Sequence, residues 1–175
     1  MSTTNATILK IMNVIFWIVF IGLCIKTGAI IISFIVSYYV NADGAKNLYL
    51  GLNLYDLYVY DKVNYVFTVS LLVVLTALKA YIAYLVIKFF LKFNLSKPFG
   101  TELTNLFLQI SYVSLGTGIL AIIADSYSKW ILKKGILIPI DWSGNEILFF
   151  AGVIYLLALV YNKGTELQTE NDLTV

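Results

Sequence analysis

Arginine and histidine are absent from this chain of 175 residues, and cysteine occurs once, as Cys24. Each absence closes a class of function. Without arginine there is no planar fork for bidentate capture of phosphate or carboxylate. Without histidine, the usual general base near neutral pH and the commonest metal ligand are both missing. A lone cysteine makes no internal disulfide. Charge is scarce as well: 13% of residues are charged, 12 lysines stand against 10 acids, and the net charge is +2. That balance offers no clustered basic face, so direct nucleic-acid binding is not expected.

Apolar side chains fill the gap, making up 60% of the sequence at a mean hydropathy of +0.86. A soluble domain is roughly half apolar and about a quarter charged. A soluble fold of this length cannot hide such an excess, because it still needs a wetted exterior. A bilayer removes that requirement. The composition therefore implies a small multi-pass membrane protein folded as one domain.

Four apolar stretches supply the spans, at about 8–39, 65–93, 103–132 and 146–161. Crossing about 30 Å of hydrocarbon takes roughly 20 helical residues. In lipid every backbone N–H and C=O must be satisfied within the segment, so these runs are read as helices. The run after Lys10 is read as a retained first helix, since bulky Leu23 stands before Cys24 where a lipoprotein cleavage site needs a small residue. Pro98 ends the second helix, and Gly100 with Thr101 gives a turn and an N-cap for the third.

Two linkers, 41–64 and 133–145, emerge at the same end if all four helices span. From Leu48 to Leu54 leucine alternates with tyrosine, glycine or asparagine, a period-two pattern that predicts strand. The segment Gly135–Trp142 predicts a second strand. The expected architecture is an all-α membrane protein, a four-transmembrane-helix bundle with a small extracytoplasmic β element. Tyr38, Tyr39, Tyr49, Tyr55, Tyr58, Tyr60, Trp130 and Trp142 suit the headgroup zone or a ligand-binding cap. At the other end, Thr165 and Gln168 of the tail 163–175 have capping-box spacing, which predicts a separate short surface helix.

Lysine counts leave the orientation open: Lys10, Lys88, Lys92, Lys97 and Lys163 flank one side, Lys46, Lys62, Lys129, Lys133 and Lys134 the other. The end of the chain carries a more specific pattern. The run Asn162-Lys163-Gly164-Thr165-Glu166-Leu167-Gln168-Thr169-Glu170-Asn171-Asp172-Leu173-Thr174-Val175 resembles the C-terminal signature of a family of bacterial four-helix membrane proteins of unknown function. Pro98-Phe99 followed by Glu102 is similar to a second landmark of that family. Where its members carry an asparagine and then basic residues in helix three, this chain has Leu103, Thr104 and Asn105. The resemblance implies a bacterial inner (cytoplasmic) membrane protein with both termini cytoplasmic. Members are often encoded beside a small helix-turn-helix regulator, which implies a cytoplasmic signalling partner.

Within the spans, Lys26 and Lys79 come first, because an ionisable group inside a bilayer is costly and marks function by default. Tyr112 and Tyr155 fall near the depth of Lys79, and Asp125 stands within expected reach of Lys26. The plain alternative is a buried polar pair or a snorkelling lysine. Small residues along helix three, among them Ser111, Ser114, Gly118 and Ala121, predict close packing on helix four, and the same face admits a homodimer. In the tail, Glu166, Leu167, Glu170, Asn171, Asp172 and Leu173 are the expected docking residues, with the leucines as apolar anchors. Catalysis is not expected: Asp43, Asp56, Asp61, Asp125, Asp141 and Glu146 scatter without a motif, and no metal or cofactor pattern appears. The expected function is a membrane anchor or sensor that engages its partner through the tail. The alternative is a small transporter, channel or immunity-type protein using the polar interior.

Overall fold

The computed structural model describes residues 3–93 and 100–173, with the side chains of 3–6 and 171–173 left aside. The Pro98 turn, the Pro98-Phe99 landmark, the Asn171, Asp172 and Leu173 side chains, and Thr174-Val175 therefore lie outside the described residues. Four long helices dominate: α1 (Thr3–Tyr39), α3 (Lys62–Lys92), α4 (Thr101–Leu132) and α5 (Gly144–Leu173), with a short α2 (Tyr55–Tyr60) between the first two. Each long helix holds an 18-residue stretch apolar enough to cross a membrane, with mean hydropathy falling from 2.5 in the first to 1.7 in the fourth. The protein is a multi-pass membrane protein.

Neighbouring helices run antiparallel. Phe16 of α1 meets Phe90 near the end of α3, and Tyr127 late in α4 donates a hydrogen bond to Asn64 early in α3 at 2.8 Å. Phe107 at the start of α4 meets Tyr161 near the end of the α5 apolar run. The start of α1 and the end of α5 consequently sit at one end, and the 41–64 and 133–145 linkers at the other. The four helices pack in chain order, α1 on α3, α3 on α4 and α4 on α5. Among the described residues, no Cα of α1 comes within 8 Å of one in α4 or α5. The central pair is accordingly the better buried, with 44% and 39% of its apolar stretches enclosed against 0% and 11% for α1 and α5.

Small residues set the closest seam. Ser111 Oγ donates to the Ala151 carbonyl of α5 at 3.0 Å. A Cβ on Gly118 would stand 2.6 Å from Leu148 Cδ2 and 3.1 Å from the Leu148 backbone nitrogen. The small-residue face of α4 is thus occupied by α5, the intramolecular packing that its spacing predicts.

No strand forms among the described residues, which corrects the expected β element. The 41–64 linker is instead a 3-10 helix (Ala42–Lys46), a tight turn and α2. Leu50 and Gly51 both take positive φ, 46° and 86°, so the alternating run doubles back on itself rather than extending. The Asn47 side chain accepts from Gly51 N at 2.9 Å, and Leu48 N donates to Leu52 O at 2.8 Å. Leu48 and Leu54 are buried while Leu50 at the apex is 86% exposed, so the leucines never share one sheet face. In the second segment Pro139 has no N–H to give a ladder. Its backbone bonds are local, Gly135 N to Leu132 O and Ile140 N to Ile138 O, both at 2.9 Å. Loop residues pack as a core all the same: Ala45, Leu48, Leu54, Leu57, Ile138 and Trp142 join Ile30 of α1, Leu72 and Leu75 of α3, and Ala124 of α4 in one cluster.

Two helix ends also differ from expectation. Gly100, not Thr101, is the N-cap of α4, and Thr101 is its first helical residue. The expected break at Lys163–Gly164 does not occur. Alpha-five continues for 30 residues through Leu173, so no separate tail helix starts at Thr165. Thr165 Oγ1 donates back to the Tyr161 carbonyl at 3.0 Å, a bond made inside a helix rather than at its cap.

Candidate functional site

The loop end contains a cavity of about 460 Å³ that draws on four parts of the chain. Alpha-one contributes Leu23 and Lys26, and α3 contributes Leu72, Leu75, Thr76 and Lys79. Tyr49, Leu50 and Leu52 come from the first loop, and Pro139 to Trp142 from the second. It opens between α1, α3 and the two loops. The two intramembrane lysines are therefore brought together.

Local sequence explains how the walls are held. Trp142 is buried, and its Nε1 donates to Ser128 Oγ of α4 at 2.9 Å, fixing the second loop to the helix scaffold. Asp141 Oδ1 accepts from Ser143 N at 2.9 Å, shaping the turn into α5. Ser143 itself takes a positive φ of 55°, an unusual conformation for a residue with a Cβ. On the opposite wall, Tyr49 lies under Lys26, whose Nζ is 6.0 Å from the ring centroid. Thr76 Oγ1 is already engaged, donating to Leu72 O at 2.8 Å.

The cavity is electrostatically lopsided. Lys26 and Lys79 are partly buried, and neither has a carboxylate within ion-pair distance among the described residues. The charges acting on Lys79 are Lys26, which repels it, and Asp141 and Glu146, which attract it. Asp141 is the sole acid on the lining, and it is exposed. A smaller polar recess of about 150 Å³ shares Asp141 and Trp142 and adds Asp125 and Glu146. The second loop thus separates a basic cavity from an acidic one.

Several expected site residues lie elsewhere. Asp125 does not pair with Lys26; it meets Lys129 one turn on, at 2.7 Å. Tyr112 and Tyr155 stack with ring centroids 6.4 Å apart on an exposed α4–α5 face, lining a separate 280 Å³ recess with Ser111 and Ala151. No family model, curated protein or solved structure matches this chain. Among the described residues no group of His, Cys, Asp and Glu is placed to hold a metal ion. Outside the spans, Lys46 holds its proton more firmly than usual because it donates to Asp43 at 2.6 Å and feels its charge.

Sequence reasoning does not reach Thr76, places Asp141 only among scattered acids, and names Tyr49 only with the aromatics of the headgroup zone or a ligand-binding cap. The signal for Asp141 lies in Ile138-Pro139-Ile140-Asp141-Trp142, where apolar anchors on both sides of an acid pin a short loop inward.

Proposed function

We propose that this protein is a non-catalytic membrane anchor and sensor whose helical tail engages a small helix-turn-helix regulator. Its termini face the cytoplasm of a bacterial inner membrane. One observation carries the reading: α5 is unbroken from Gly144, beside the loop-end cavity, to Leu173 at the opposite end. At 1.5 Å per residue such a helix is about 45 Å long, so it reaches beyond about 30 Å of hydrocarbon. The projecting part is stapled by Asn162 and Lys163, which donate to Glu166 at 3.1 and 2.9 Å, and by Thr169 Oγ1, which donates to Thr165 O at 2.9 Å. Glu166 and Glu170 are exposed there, as is the apolar Leu167. An acidic helix with a leucine anchor fits a basic partner, and DNA-binding regulators are basic.

The test is mild-detergent purification of the intact chain, of a version ending at Lys163, and of a Leu167→Glu variant. A small helix-turn-helix protein should accompany the intact chain and vanish from both altered ones. Its absence from all three, with each folded, or its retention after tail removal, would overturn the reading. The cavity at Lys26 and Lys79 favours the alternative of a small transporter, channel or immunity-type protein. In that case Lys26→Gln with Lys79→Gln should abolish flux in vesicles while leaving tail docking intact.

A further inference from the structure

We propose that the loop-end cavity binds an organic anion, with a carboxylate or phosphate head between Lys26 and Lys79 and an apolar body against Leu72, Leu75 and Trp142. The inference stands on the cavity alone and does not depend on a cytoplasmic partner.

Charge decides the class of ligand. Among the described residues neither Lys26 nor Lys79 touches an acid, and the two share one cavity lining. A lysine held within a membrane helix is costly unless a charge or polar group compensates it. Asp141 offsets part of that cost, yet its Oδ1 already accepts from Ser143 N. The Tyr49 ring, at 6.0 Å from Lys26, is a weak substitute for an anion. The lining therefore keeps a surplus positive charge, which repels cations and attracts anions.

Shape and polarity narrow the class. The 460 Å³ volume suits a small organic molecule. Leu23, Leu72, Leu75 and Trp142 make much of the wall apolar, and such a wall gives a bare inorganic ion nothing in exchange for its hydration. An anion carrying a hydrocarbon body satisfies both halves of the cavity. Lysines act as point charges rather than as a shaped fork, so the head is chosen by charge and not by geometry. Carboxylate and phosphate heads are both accepted.

Trp142 provides the readout. In the full chain in phosphatidylcholine nanodiscs, Trp17→Phe and Trp130→Phe leave it the sole tryptophan of the three. Hexyl phosphate and hexanoate should shift its emission saturably, while neutral hexanol should not. Combining Lys26→Gln with Lys79→Gln should weaken binding by about tenfold or more, the scale of a lost charge-assisted hydrogen bond. Lys26→Arg with Lys79→Arg should restore it, and Lys134→Gln should leave it unchanged. Hexanol binding as well as hexyl phosphate, or unaltered binding by the folded glutamine variant, would overturn the proposal.

Should the glutamine variant not fold, Asp141→Asn decides. That residue is exposed, and an asparagine oxygen can still accept from Ser143 N, so only the charge is removed. Binding should tighten several-fold, and unchanged or weaker binding would overturn the site. Native mass spectrometry from discs containing phosphatidylglycerol identifies the source. Retention of that lipid by the parent, but not by the glutamine variant, supports a membrane lipid as occupant. Intact hexyl phosphate binding without lipid retention supports a water-soluble anion.

Discussion

The hydroxyls of Ser37 and Tyr65 lie 2.5 Å apart, and both side chains are shut off from solvent. This contact ties the last turns of α1 to the first turn of α3. Ser37 Oγ also donates to the Phe34 carbonyl at 2.8 Å, so the tyrosine is the proton donor to the serine. Phe34 and Tyr58 pack against the same tyrosine ring, with centroids 5.8 and 5.2 Å away. Tyr65→Phe keeps the ring and drops the bond, and should cost about 1 kcal/mol, as for one net hydrogen bond. Thermal unfolding in detergent measures it. A Tyr65→Ala chain should lose about 3–5 kcal/mol, because it also empties a buried aromatic site.

Two glycines of α4 make a matched pair. A Cβ at Gly118 would press on Leu148, including its backbone nitrogen at 3.1 Å, whereas one at Gly116 meets nothing within 4 Å. Gly118→Ala should therefore destabilise the α4–α5 seam by about 1–3 kcal/mol, the range for an overpacked core. Gly116→Ala should stabilise slightly, by up to about 1 kcal/mol, through helix propensity. Opposite signs in a melting experiment are the expected result; equal effects would place the seam elsewhere.

Leu50 holds a left-handed conformation that a leucine adopts at a cost of about 1–2 kcal/mol. It is nearly all in solvent, so little packing is lost on trimming it. Leu50→Gly should then be neutral to stabilising in thermal unfolding, against the usual direction for removing a leucine. A loss above about 2 kcal/mol would show that the turn is not built this way.

Orientation is open to direct chemistry. In a Cys24→Ser background, Asp56→Cys on α2 and Glu170→Cys in the helical tail replace exposed residues at opposite ends. A membrane-impermeant maleimide should label position 56 in intact cells and position 170 only after permeabilisation. The reverse pattern would put the tail outside and remove the cytoplasmic partner.

The four spans were legible because desolvation dominates everything else in them: long apolar runs have no other stable home. The period-two run predicts a strand, but a tight turn buries its outer leucines just as well. Leu48 and Leu54 are buried, but Leu50 and Gly51 reverse the chain between them. Lys163-Gly164 reads as a stop, yet α5 runs through the glycine without a break. Lys26 and Lys79 stood out through their cost, whereas Asp141 did not. Its place depends on Trp142 reaching Ser128 across the fold, a contact that no spacing rule encodes.

Because α3 is the only long helix that α1 packs on among the described residues, the four are built as a row with two free edges rather than a ring. Among the described residues such a row encloses no axial channel, so a continuous conduit would need walls from a second copy or from lipid.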